Sequence, residues 1–344
     1  MSRHVNIPIF IPHDGCRNDC VFCNQRTITG VQKHDDSKVR EIIENALSTI
    51  EDDAETEIAF FGGSFTGIGI ERMTYLCDVA YSFVKQQRVK SIRLSTRPDY
   101  IDKNILTILK DRGVTHIELG IQSACDNVLS SCKRGHGFAD TINACKLINE
   151  FGFILGGQMM IGLPCSTSDD EIYTAQQIVK LGCKQARIYP CVVFKKTELY
   201  QMAIRGEYSP LSLQEAIDRS AKVFSVFQDA NINVLRIGLQ SSENLSDKNE
   251  VYAGANHPAL GELVISRYFL LKVQSFLENY RQTEHEFTKH TLFIDCAKGD
   301  LSKVIGQRGK NRQELLHIAK KSGFSDIKIT ENENIQKNQL NIHF

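Results

Sequence analysis

From Ile7 to about Tyr189, short apolar runs alternate with amphipathic stretches. The runs are Ile7–Ile11, Ile58–Phe61, Ser91–Leu94, His116–Leu119, Gln158–Ile161 and Ala186–Tyr189. Each reads as a buried strand, because a short run bounded by turn residues suits a sheet covered on both faces. Between them the spacing predicts helices. Val39, Ile42, Ile43, Ala46, Leu47 and Ile50 recur at the intervals that line one helix face. Another helix opens at Ser168-Asp169-Asp170-Glu171, where a serine and a glutamate form a capping box, and continues through Ile172, Ala175 and Val179. Strand-and-helix units joined by right-handed crossovers predict an α/β fold, a partial (β/α)6 parallel barrel. Leu211 to Phe227 predicts a further amphipathic helix and Asn233 to Ile237 a further strand. No repeat beyond the strand-helix unit is present.

In such sheets a site is built from the loops at the C-terminal ends of the strands. The loops here are unusual. Pro12 to Gln25 follows the first run, Gly62 to Gly67 the second and Ser95 to Asp99 the third. Gly120 to Ser123, Gly162 to Pro164 and Pro190 to Lys195 follow the others. The polar stretch Gln240 to Glu250 predicts a loop or lid. His257, just before a proline, suits a turn cap or a ligand.

The first loop carries Cys16, Cys20 and Cys23 in the spacing C-x3-C-x2-C. Three thiolates so close together can hold three irons of a cubane cluster and leave the fourth open, unlike the four-cysteine runs of ferredoxins. Other readings stand beside it. Cys20-Val21-Phe22-Cys23 has the form of a redox C-x-x-C, a zinc site would take His13 as its fourth ligand, and the thiols can simply pack. The remaining cysteines of the eleven are scattered. Reduced thiols are expected rather than disulfides, with Cys125/Cys132 or Cys183/Cys191 as the pairs that a second cluster would use.

Lys plus Arg and Asp plus Glu balance at 41 each, so no overall field attracts a polyanion and any nucleic-acid contact must be local. The N-terminus has no signal pattern and no apolar run spans a bilayer, which predicts a cytoplasmic protein with no membrane association. Charge returns in the tail. Residues 291–344 hold nine Lys or Arg against six Asp or Glu. Thr291–Ile294 predicts a strand, Gln313–Ala319 a helix and Asp326–Ile329 a second strand. Between them lies Gly306-Gln307-Arg308-Gly309-Lys310. This turn resembles the GXXG loop of KH domains, in which backbone amides approach a nucleic-acid phosphate chain and nearby cations neutralise it.

The cysteine loop with the glycine-rich turn after the second strand resembles the radical S-adenosylmethionine (SAM) superfamily. Within it, Ser95-Thr96-Arg97-Pro98-Asp99-Tyr100, Glu118 to Ser123, Arg134-Gly135-His136, Met159 to Pro164 and Ile188-Tyr189-Pro190 are similar to the catalytic-subunit family of Elongator, which modifies the wobble uridine of transfer RNA. The likeness runs from about His4 to Arg267.

The resemblance implies a 4Fe-4S cluster on Cys16, Cys20 and Cys23, whose open iron chelates SAM. It implies reductive cleavage of SAM to a 5′-deoxyadenosyl radical. Gly62, Gly63 and Ser64 would receive the SAM amino group. Ser95, Gln122 and Gln158 would contact its ribose or methionyl part, with strand-end capping as the alternative, and Arg134 would pair with its carboxylate rather than with a surface acid. An electron donor such as flavodoxin or ferredoxin is implied. Two departures limit the likeness: Elongator's acetyltransferase domain is not expected in a chain of this length, and a histidine of that family is Gln158 here.

The expected organisation is therefore a radical SAM core over residues 1–236, an extension with lid and helix over 237–288, and a small α+β KH-like domain over 289–344. The expected function is radical modification of RNA, transfer or ribosomal. The alternative is a small-molecule reaction similar to that of the oxygen-independent coproporphyrinogen oxidases, and a third is an RNA-binding protein with a structural metal.

Overall fold

The computed structural model describes residues 4–16, 20–31, 34–51, 54–240, 245, 247, 249–282 and 290–344. Strands β1 (His4–Phe10), β2 (Glu55–Phe61), β3 (Ser91–Thr96), β4 (Val114–Gln122), β5 (Ile154–Ile161) and β6 (Gln185–Pro190) pair in parallel in chain order. After the short β7 (Val192–Phe194) comes β8 (Asn233–Ile237), which joins the sheet beside β6. The barrel therefore has seven parallel strands rather than six. The extra one is the Asn233–Ile237 run, whose edge hydrogen bonds β6 satisfies.

The two faces of the sheet differ. Ile7, Ile9, Ile58, Phe60, Ile92, Leu94, Ile117, Leu155 and Ile188 are buried in the main core, against helices that include Ile70–Lys85, Phe138–Glu150 and Leu213–Asp229. Alternate positions turn the other way, and there β2 to β6 carry Glu57, Arg93, Ser95, Glu118, Gln158 and Arg187. Period-2 alternation thus gives the curved sheet an apolar outside and a polar lumen.

Two helix expectations need correction. The helix over Val39–Leu47 buries Val39 and Ile43 but leaves Ile42 exposed, and Ile50 lies beyond its end. The helix Ser168–Lys180 is capped one residue earlier than expected. Thr167 accepts from the Asp170 amide at 3.2 Å and Asp170 accepts from the Thr167 amide at 2.9 Å. Glu171 is thereby freed for the interior, where it accepts from Gly162 N at 2.6 Å and pairs with Arg219.

β7 and β9 (Val251–Gly254) form an antiparallel pair beside the sheet. Most of the expected lid, residues 241–244, 246 and 248, lies outside the described residues. His257 is a turn cap: its Nδ1 accepts from Ala259 N at 3.1 Å.

The long helix Leu260–Gln282 packs on Leu213–Asp229 and carries the tail. The tail has the expected order of strand β10 (Thr291–Cys296), helix Leu301–Ile305, turn, helix Lys310–Lys321 and strand β11 (Asp326–Glu331). A further strand, β12 (Leu340–His343), was not expected. β10 is central, parallel to β11 and antiparallel to β12. No helix among the described residues is long and apolar enough to cross a membrane.

Candidate active site

The loop after β1 and the glycine turn after β2 interlock. His13 N donates to Gly62 O at 3.1 Å and Ser64 N to Asp14 O at 3.1 Å. A Cβ on Gly63 would strike Asp14 O and lie 2.7 Å from Ile11 O, and one on Gly15, where φ is +77°, would strike Ser64 O. The glycines are needed because two backbones touch. Gly63 is held against the cysteine loop in this way and still lines the cavity.

Cys16 and Ser64 meet through Sγ and Oγ at 3.3 Å. Cys23 N donates to Cys20 O at 2.9 Å, closing a tight turn. Val21 N holds Cys132 O at 3.2 Å, and Leu199 N holds Val21 O at 2.8 Å. Val21 and Phe22 are buried among Leu163, Cys191 and Tyr208, so the cysteine turn is seated on a small apolar cluster of its own.

The three thiols act on one another. Burial, then the Cys20 and Cys16 sulfurs, push the Cys23 thiol up to about 12, while Arg134 pulls it down. Arg134 donates from Nη1 to Cys20 Sγ at 3.2 Å and from Nη2 to Gly120 O at 2.8 Å. Arg97 donates to Arg134 O at 2.5 Å and pairs through two bonds of 2.9 Å with Asp99. Sequence reasoning passed over Arg97, although its motif was in view. His13, the fourth ligand that a zinc site would need, instead accepts the Gln25 amide on Nε2 at 2.9 Å.

These groups open on a cavity of about 1290 Å³ in the lumen. Cys16, Cys20, Cys23, Gly62, Gly63 and Ser64 line it, and so do Ser95, Gln122, Arg134 and Gln158. The structure therefore brings together every cysteine and every SAM-contact residue expected from sequence. Gln122 stands at a bulge in β4 with φ of +66°. Its Oε1 is buried and has no hydrogen-bond partner among the described residues, which marks an acceptor waiting for a donor. Gln158 is already engaged, donating to Glu118 at 3.0 Å.

Beside this lining lies an ionic cluster that the sequence reading missed. Arg93 is 2% exposed and pairs with Glu57 at 2.9 Å and Glu118 at 3.0 Å. Arg187 makes two bonds to Glu118, at 2.5 and 3.1 Å, and stands 5.3 Å over the Phe61 ring. Burial alone would raise the Glu118 carboxyl, but Arg187, Gln158 and Arg93 outweigh it and hold the group below the ordinary range. The Tyr189 phenol is raised by burial, against the pull of Arg187 and Arg236.

Other expectations lie apart from the cavity. Cys125 donates to Asp170 at 3.3 Å. The free thiols of Cys183 and Cys145 share a hydrogen bond in the main core, whereas Cys191 sits against Tyr208 under the cysteine turn, so Cys183 and Cys191 are not paired. Among the described residues no three His, Cys, Asp or Glu are grouped to hold a single metal ion. Gly306 to Lys310 line no part of the cavity. Their turn has positive φ at Gly306, Arg308 and Gly309, exposes Gln307, Arg308 and Lys310, and is anchored where Asn311 donates to Ser266 O at 2.9 Å.

The family described as the Radical SAM superfamily matches residues 10–177, and the Radical_SAM C-terminal domain matches 183–269. The chain is similar to a tRNA uridine(34) acetyltransferase of Methanocaldococcus infernus, 30% identical over 47% of this chain and 34% of that protein. It is similar to the heme chaperone HemW of Bacillus subtilis, 25% identical over 96% of this chain and 86% of that one. In solved structures it resembles an archaeal Methanocaldococcus infernus Elp3 with an N-terminal deletion. That match has a TM-score of 0.61 and 22% identity, and covers 85% of this chain and 66% of the other. The chain thus spans only about a third of the acetyltransferase, and the structural likeness concerns the fold.

Proposed function

The chain belongs to the radical SAM superfamily, and from that premise we propose that it is a member acting on RNA. The family's cofactors are a 4Fe-4S cluster and SAM. The residues present fit them: three cysteines face one cavity beside a buried, unpartnered Gln122 oxygen. Cys16, Cys20 and Cys23 would hold the cluster. When bound, the reduced cluster would supply one electron to the sulfonium of SAM, breaking its S–C5′ bond to give methionine and a 5′-deoxyadenosyl radical.

In this reading the chain's own residues bind and orient. Gly62, Gly63 and Ser64 offer backbone acceptors to an amino group. Ser95, Gln122 and Gln158 offer polar atoms to the ribose and methionyl parts, and Arg134 offers the carboxylate the guanidinium N–H groups that its bonds to Cys20 and Gly120 leave over. The Glu118 cluster keeps the lumen wall rigid around them. An external donor such as flavodoxin or ferredoxin supplies the electron. The domain division at 236/237 and 288/289 belongs to the same reading.

The observation that carries the RNA assignment is the exposed basic turn Gly306–Lys310, set between two helices on a three-stranded sheet. Similarity to a protein named as acting on a tRNA uridine supports it. Binding of transfer RNA and ribosomal RNA fragments should weaken about tenfold in Gly306→Asp/Gly309→Asp and in Arg308→Glu/Lys310→Glu, whose backbone is unaltered. Unchanged affinity in both would reject the reading. A second reading, a small-molecule ligand, is favoured by the HemW match, which takes in 96% of the chain. It requires the tail to be dispensable for substrate binding.

A further inference from the structure

One end of the cavity is left over by the cofactor reading. β8 closes the sheet beside β6, and their register sets Arg236 directly opposite Arg187. Both line the cavity, together with Tyr189, Leu239 and Gln240. Arg187 is satisfied by its two bonds to Glu118. Arg236 is not. It is half-buried and has no hydrogen-bond or ion-pair partner among the described residues, although a guanidinium presents five donors and needs acceptors where water is scarce.

The surroundings select the sign of what goes there. Arg26, Arg97, Arg134, Arg187, Lys196 and Arg236 line the cavity against Glu198 and Glu250, in a chain whose charges balance overall. Carboxylates answer three of the six: Asp99 holds Arg97, Glu118 holds Arg187 and Glu250 holds Lys196, while Lys133 neutralises Glu198. Arg236 has no carboxylate partner among the described residues. The volume of about 1290 Å³ also exceeds the roughly 300–1,000 Å³ of a single small-molecule site, so a second occupant fits beside the cofactor.

We propose that Arg236, with the Tyr189 hydroxyl beside it, holds a phosphate of the nucleotide that enters the cavity as substrate. This rests on the RNA reading. The guanidinium fork matches two phosphate oxygens, and the phenol adds a neutral donor. The tail would grip the RNA chain, while Arg236 positions the nucleotide within the cavity that the cysteines also line.

The test is calorimetric titration of the full chain with nucleosides and their 5′-monophosphates, repeated on Arg236→Gln and Arg236→Lys. The phosphate should improve affinity about tenfold or more in the unaltered chain. Arg236→Gln should erase that gain, and Arg236→Lys should restore part of it. Since Arg236 has no hydrogen-bond or ion-pair partner among the described residues, Arg236→Gln should melt at the temperature of the parent. A phosphate gain that survives in Arg236→Gln, or no gain in the parent, overturns the proposal. So does Arg236-dependent binding of glutarate without any gain from phosphate, which would point to a carboxylic acid substrate. Loss of the RNA reading has a different signature: RNA affinity indifferent to the tail variants, with the Arg236-dependent phosphate gain intact, leaves this site standing as one for a free nucleotide.

Discussion

Arg134 joins Cys20 to the end of β4: one guanidinium nitrogen lies 3.2 Å from the sulfur and the other 2.8 Å from the Gly120 carbonyl. The positive charge pulls the neighbouring Cys23 thiol down, and the second bond keeps that charge in place. Arg134→Ala should therefore speed loss of iron from the loaded protein to a chelator about tenfold, the range expected for a hydrogen bond to a charged group. Arg134→Lys should lie nearer to the alanine variant than to the parent, because a lysine cannot make both bonds. Equal release rates would show that Arg134 serves only the SAM carboxylate.

Gly63→Ala should separate seating of the cysteine loop from the fold. Its Cβ would meet the backbone oxygens of Asp14 and Ile11, which cannot swing aside as a side chain can. The expected result is an iron content several-fold below the parent with a retained helical signature in circular dichroism. Gly261→Ala, where a Cβ has ordinary contacts, should load normally. Normal iron binding in Gly63→Ala would contradict the interlocked-loop geometry.

Glu118 gives a pH signature. Its folded-state pKa lies below the ordinary 4.5, with burial opposing and Arg187, Gln158 and Arg93 prevailing. The carboxylate thus contributes stability that is complete above about pH 4.5 and lost as pH falls through the depressed value. Glu118→Gln leaves Arg187 and one side of Arg93 facing a neutral amide, which should cost about 3–5 kcal/mol near neutral pH. Urea unfolding of the variant should also decline less steeply in acid than that of the parent. Parallel curves would mean that the pair is not coupled to folding.

Much of the site was legible because it depends on local spacing. Cys16, Cys20 and Cys23 lie within eight residues, and the glycine turn and strand-end polar residues fall where a parallel sheet puts its loops. The lumen was not legible. Arg93, Glu118 and Arg187 each stand inside a run that reads as apolar, and their pairing spans 25 and 69 residues, so only the register of β3 to β6 reveals them. Alternation within those runs was the available signal. The packing of Gly63 against Asp14 was not legible for the same reason, since tertiary contact brings the two together. The capping box slipped by one because Thr167 and Ser168 are each followed three residues later by an acid, and the sequence does not say which hydroxyl the chain uses.

The central claim is that Cys16, Cys20 and Cys23 hold an open-iron cluster that activates SAM. Its most direct test is anaerobic loading with iron and sulfide, reduction, and measurement of 5′-deoxyadenosine formed from SAM. The unaltered chain should form 5′-deoxyadenosine, and the protein with all three cysteines replaced by alanine should form none; undiminished cleavage by that variant would contradict the account.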